Sequence, residues 1–157
     1  MPNIVRRTAH DESAVHPIPA AVAVVPREGH VLLVRRANPP YAGRWGFPGG
    51  KIEAGETIEA AAMRELAEET SVNAQACKIL TAFDVFDHDD RGRLTRHFVL
   101  IAVLCKWISG EPIAADDALQ AQWFRLEDLD EADPSLNLNV VAIARDADNI
   151  VRRGGRS

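Results

Sequence analysis

Cysteine is scarce: Cys77 and Cys105 are the only two in 157 residues, too few and too isolated for a disulfide framework or a zinc site. Both fall in apolar, strand-like runs, which predicts two buried thiols in a reducing compartment. Positive charge is not in excess either, since 18 Lys and Arg against 23 Asp and Glu leave a net charge of −5. An extended nucleic-acid surface needs a basic stripe, so nucleic acid is not the expected partner. The cluster Arg152-Arg153-Gly154-Gly155-Arg156 reads as a frayed tail. No apolar run approaches the roughly 20 residues of a membrane span, and no charged leader ahead of an apolar core opens the chain. The expectation is a cytoplasmic protein with no membrane partner. Repeats and low-complexity stretches are also absent. A content of 46% hydrophobic and 26% charged residues suits one domain, read as 19–153, with 1–18 an irregular lead-in or edge strand and 154–157 a flexible tail.

What is present alternates between strand and helix patterns. Ala20 to Val25 and Val31 to Arg35 are short β-branched runs separated by Pro26-Arg27-Glu28-Gly29, which predicts a hairpin. Residues 37–50 hold Pro39, Pro40, Gly43, Gly46, Pro48, Gly49 and Gly50, too many breakers for regular structure, so they are expected to form a loop that delivers Gly49 and Gly50 to a helix. That helix has Thr57 as N-cap and Glu59 in its first turn, and Ile58, Ala62 and Leu66 supply a buried stripe. Ala76 to Phe86 and Arg96 to Trp107 read as long strands joined through a turn at Gly92. Ala121 to Leu126 reads as a last strand, Glu127 to Asp130 as a short helical turn, and Leu138 to Arg152 as an amphipathic helix. The pattern predicts an α/β fold with a mixed sheet between helices.

Within the central helix, Glu65, Glu68 and Glu69 stand at i, i+3 and i+4. At about 100° per residue they share one face. Three like charges so close repel one another, and such a face persists either because water solvates it or because a divalent cation sits on it.

The longer segment bears on that choice. Gly50, five residues, Glu56, seven residues, Arg64-Glu65-Leu66-x-Glu68-Glu69 and then Val72 together resemble the Nudix box, G-x5-E-x7-R-E-U-x-E-E-x-G-U with U aliphatic. Ser71 stands where the box has its last glycine, a position expected just past the helix in left-handed conformation and not a metal ligand. The resemblance implies an α/β/α sandwich and hydrolysis of a phosphoanhydride assisted by magnesium or manganese, with hard oxygen ligands. It assigns metal binding to Glu68 and Glu69, metal or proton handling to Glu65, and a carbonyl ligand to Gly49. Arg64 and Glu56 then orient the carboxylates.

Outside the box, Asp116 and Asp117 are candidates for an additional carboxylate. Arg35, Arg36 and Arg44 flank the glycine loop as candidate phosphate clamps. Trp45, Phe83 and Phe86 are candidates for stacking on a base. His88 and His97 lack metal-ligand spacing and are read as non-catalytic. The stretch from His97 through Trp123-Phe124 looks most like ADP-ribose pyrophosphatase-type members, which makes ADP-ribose or an ADP-sugar the first substrate, cleaved to AMP and a sugar phosphate. Many such enzymes carry a proline where this chain has His88. The alternatives are a MutT-type enzyme acting on nucleoside triphosphates and, from another class, a non-catalytic ligand sensor. A homodimer is common in the family.

Overall fold

The computed structural model describes residues 14–38, 41–116 and 118–154. Small and β-branched side chains from Ala20 to Val25 are buried without alternation, as a strand covered on both faces requires. All but Val25 lie in β1 (Pro17–Val24), which is followed by β2 (Pro26–Arg27), β3 (His30–Arg36), β4 (Trp45–Gly46), β5 (Gly49–Lys51), α1 (Ile58–Thr70), β6 (Asn73–His88), β7 (Leu94–Ser109), β8 (Ala118–Arg125), a 3-10 turn at Leu126–Asp128 and α2 (Val140–Gly154). One sheet has the order β5-β1-β7-β6, with β1 parallel to β7 and its other pairs antiparallel. A second sheet centres on β3, which pairs antiparallel with β2, β4 and β8.

Successive β1 residues divide the core. Ala21 and Ala23 pack with Ala61, Ala62 and Leu66 of α1, while Val22 and Val24 pack with Val140, Val141 and Ala144 of α2. The first sheet is therefore sandwiched between two helices, the expected α/β/α arrangement. No helix among the described residues is long and apolar enough to cross a membrane.

Several expectations need correction. The runs at 20–25 and 31–35 touch at the foot of a hairpin, where Leu32 N–H donates to Val25 O at 3.2 Å, but the stretch 20–24 pairs elsewhere. β1 joins β7 over eight parallel positions, and the hairpin is β2 with β3 around Glu28 and Gly29, whose φ of 48° and 76° are those of a tight two-residue turn. Pro26, lacking an N–H, ends the β1 ladder at the crossing between sheets. Pro17 and Ile18 of the lead-in already belong to β1, where they pair with His97 and Phe98 of β7; residues 1–13 lie outside the described residues. Gly49 and Gly50 do not arrive on a loop but form edge strand β5. The long strands run farther than expected at both ends, with bulges along β6. Cys77 sits in one of those irregular stretches and is exposed, whereas Cys105 is buried as expected, its thiol pushed up to about 12 by burial.

Helix α1 is closed by local chemistry. Thr57 Oγ1 accepts the Ala60 N–H at 3.1 Å, and Ser71 at φ 63° and ψ 7° donates its N–H to the Ala67 carbonyl. A Cβ in left-handed backbone costs on the order of 1 kcal/mol, partly offset by the greater freedom that glycine has in the unfolded chain. Ser71→Gly is expected to raise stability by about 0.5 kcal/mol and the melting temperature by about 1–2 °C. A lower midpoint would contradict this account of the helix end.

Candidate active site

Burial of Ala61, Ala62 and Leu66 against the sheet orients α1 so that its acidic side meets the edge strand β5. The register explains how. Ala23 donates to Pro48 O and Ile52 to Pro19 O, so in the alternating antiparallel ladder the pairs Ala20–Lys51 and Val22–Gly49 are the ones that exchange no hydrogen bonds. The N–H and C=O groups of Gly49 and Lys51 therefore point off the sheet edge. Both residues meet α1 there: the Gly49 N–H donates to Glu69 Oε2 at 2.9 Å, and Lys51 O accepts from Arg64 Nη2 at 3.2 Å. Glu69 is only 7% exposed, and its carboxylate is held by a backbone donor from across the site.

Arg64 organises the other carboxylates. It contacts Glu56 at 2.7 and 2.9 Å, Glu65 at 2.8 Å and Glu68 at 3.3 Å. The Arg64 bonds, with the Glu53 N–H, lower the Glu56 carboxyl to about 2. The same bonds to Glu56 and Glu65 raise the guanidinium further. Glu65 is confined as well, though less than Glu69, because a Cβ at Gly50 would come within 2.6 Å of its carboxylate. Glu68, with its side chain 47% exposed, is the most open of the three.

Among the described residues no three acidic, His or Cys side chains converge as a preformed cage. Each glutamate is instead engaged by a donor of the chain. The donor set is nonetheless all oxygen: three glutamates on one helix face and the outward carbonyl of Gly49. It fits a hard divalent cation and not a soft one.

The two glycines predict different failures. A Cβ at Gly49 would strike backbone, 2.3 Å from Ala21 O and 2.7 Å from Val22 Cα, so Gly49→Ala is expected to fold poorly. At Gly50 the obstacle is the far end of a flexible side chain. Gly50→Ala should therefore keep its melting temperature within a few degrees while displacing Glu65, and turnover should fall by about 10²-fold. Circular dichroism melts and kcat measured on one preparation test both halves.

A cleft of about 740 Å³ opens beside this face. Glu65, Glu69, Gly49, Arg36 and Phe83 line it, and Glu56, Glu68, Arg35, Arg44, Trp45 and Asp116 are not among its lining residues. Arg35 ties Gly43 O at 3.1 Å to Gln120 at 3.4 Å, Arg44 lies over the Tyr41 ring at 5.2 Å, and Trp45 packs edge-on against Phe124 in the α2-side core. Asp116 is exposed at φ 52°; Asp117 lies outside the described residues. Phe86 faces His97, and His97 Nε2 is 2.8 Å from Asp84.

The cleft also contains residues that sequence reasoning missed. Arg96 is in phase with Phe98 and Leu100, which line it too, so the period of two along β7 carried that signal. Asn137 carried none. Its side-chain Oδ1 is buried with no partner among the described residues, and its Nδ2 lies so close over Gly46 that a Cβ there would come within 2.4 Å.

Comparison with known proteins bears on this geometry. Residues 16–143 match the family model of the NUDIX domain. Over 115 residues the chain is 36% identical to an ADP-ribose pyrophosphatase of Methanocaldococcus jannaschii, a match covering 73% of this chain and 66% of that protein's length. It is 33% identical over 125 residues to the 8-oxo-dGTP diphosphatase of Escherichia coli, covering 78% of this chain and 92% of the relative. The crystal structure of a MutT NUDIX hydrolase from Burkholderia pseudomallei superposes with a TM-score of 0.70 at 31% identity, over 83% of this chain and 97% of that one.

Proposed function

Because this chain belongs to the Nudix hydrolase family, we propose that it hydrolyses the phosphoanhydride of a nucleoside diphosphate linked to another group, with ADP-ribose or an ADP-sugar as first substrate. The observation that carries this reading is the meeting of Glu65, Glu69 and Gly49 at one wall of a cleft roomy enough for a nucleotide. Glu65, Glu68, Glu69 and the Gly49 carbonyl would hold magnesium or manganese. Such an ion offsets charge on the phosphate oxygens and lowers the pKa of a bound water.

The chain's own groups account for the rest. Glu65, anchored by Arg64, offers an oxygen to the metal or accepts the proton of the attacking water. Water oxygen bonds to one phosphorus as the bridging P–O bond breaks, leaving AMP and a sugar phosphate. Arg36 and Arg96 bring positive charge to the cleft wall, suited to phosphate oxygens, and Phe83 offers a ring to the base. Asp116 is a candidate fourth carboxylate, one residue beyond the hydrogen bond from Ala115 N–H to Glu69 O.

A second reading, a triphosphate pyrophosphohydrolase of the nucleotide pool, draws support from the 33% identity to the 8-oxo-dGTP diphosphatase; the Asn137 carboxamide oxygen, unpartnered among the described residues, suits an N–H donor on the base of either substrate. With magnesium, a panel of ADP-ribose, other ADP-sugars, NADH, diadenosine polyphosphates and canonical or oxidised nucleoside triphosphates separates the two by kcat/KM. The highest value is expected for ADP-ribose or an ADP-sugar, with AMP released. A preference of about a hundredfold for a triphosphate, with pyrophosphate released, selects the second reading. Binding across the panel without turnover in either metal selects a ligand sensor instead.

A further inference from the structure

We propose that Arg27 and Glu111, with Trp107 and Trp123, anchor a strap at residues 110–116 that caps the C-terminus of α1 and so positions Glu69 for its metal. The inference rests on the functional reading above. The last carbonyls of a helix need partners, and α1 has no basic residue in its final turn. The strap supplies them: Ala115 N–H donates to Glu69 O at 3.0 Å and Ile113 N–H to Thr70 O at 2.8 Å. At its start it touches the helix end closely enough that a Cβ on Gly110 would lie 2.9 Å from Ser71 O.

Burial does not hold the strap, since Ile113, its largest apolar side chain, is 67% exposed. What holds it is the cluster at its N-terminal end. Glu111 Oε1 accepts from Arg27 Nη1 at 2.9 Å and Oε2 from Trp123 Nε1 at 3.1 Å. The Arg27 guanidinium lies 3.6 Å from the Trp107 ring centroid and 5.5 Å from that of Trp123, while Trp107 Nε1 donates to Gly110 O at 2.9 Å. Both carboxylate oxygens and both indole N–H groups are thus committed. Exposed ion pairs contribute little to global stability, so the consequence of this cluster is local. The strap adds two hydrogen bonds to the turn of α1 that carries Glu68 and Glu69, a turn otherwise held by buried Thr70 and Val72, whereas the preceding turns are fastened by Ala61, Ala62 and Leu66.

The test compares wild type with Glu111→Ala, Arg27→Ala and the milder Glu111→Gln, each first checked for native circular dichroism. Amide hydrogen exchange at Ile113 and Ala115 is expected to quicken by about tenfold or more in the Ala variants. Mn2+ affinity, read without substrate by electron paramagnetic resonance of the free ion, should weaken by about tenfold, with Glu111→Gln between. The metal concentration for half-maximal rate should rise while kcat at saturating metal changes little. Faster exchange with unchanged Mn2+ affinity would reduce the strap to a structural cap and overturn the inference, and unchanged exchange would overturn the anchoring itself. Wild type and Glu69→Gln binding Mn2+ equally would overturn the functional reading and this inference together, an outcome told apart because it appears before any strap variant is made.

Discussion

Replacement of Glu69 by Gln is expected to lower kcat by about 10³-fold, a loss of about 4 kcal/mol of transition-state stabilisation, with the melting temperature changed by no more than a few degrees. Glutamine keeps the shape of the side chain, and its carbonyl oxygen can still accept the Gly49 N–H that now bonds Glu69 at 2.9 Å. What it removes is the charge. A buried carboxylate that serves only packing would tolerate that change, and near-normal turnover by the purified variant would withdraw the acidic face from the chemistry.

Arg64→Ala is expected to damage both stability and turnover, because one guanidinium satisfies Glu56, Glu65 and Glu68 together. Its removal leaves carboxylates facing one another at the head of the cleft. The melting temperature should fall by about 5 °C and kcat by about 10²-fold. Arg64→Lys should recover only part of either, since a single ammonium cannot reproduce a planar fork. The pH dependence has a definite sign. Glu56 is held at about 2 in the folded protein against an ordinary 4.5, so the unfolded chain takes up its proton first as the solution is acidified. The stability contributed by the pair is complete above about pH 5 and is lost as pH falls toward 2. The gap in melting temperature between wild type and Arg64→Ala should close over that window. A gap that stayed constant from pH 6 to pH 3 would mean that the pair contributes nothing through Glu56.

Much of the site was legible in one short stretch of chain because its determinants are local. The cap at Thr57, the stripe at Ile58, Ala62 and Leu66 and the shared face of Glu65, Glu68 and Glu69 follow from helical periodicity and end chemistry within a few residues, and the left-handed Ser71 from the place of the last glycine in the box it resembles. Periodicity also gave the alternation of strands and helices, and hence the fold class. Neighbouring apolar runs at 20–25 and 31–35, by contrast, looked like partners, yet β1 finds β7 from the far side of α1. Eight parallel pairs with β7 and burial on both faces outweigh a longer hairpin, so only the stretch from Val25 to Arg27 pairs with β3, and nothing in either run states that preference.

The same distinction runs through the arginines. Alternation along β3 places Arg35 and Arg36 on opposite faces, but only the pairing of β3 with β4 and β8 decides that Arg36 reaches the cleft while Arg35 is spent on Gly43 and Gln120. The sequence by itself determined the acidic helix face, its caps and the class of fold, because those rest on spacings of three and four residues. Only the tertiary structure decided that Gly49 turns its backbone toward Glu69 from an edge strand, that Arg96 and Asn137 join the cleft, and that a strap from β7 to β8 closes the helix. Each of these depends on which distant strands pair and in what register, and that is set by the summed burial and hydrogen bonding of the whole chain.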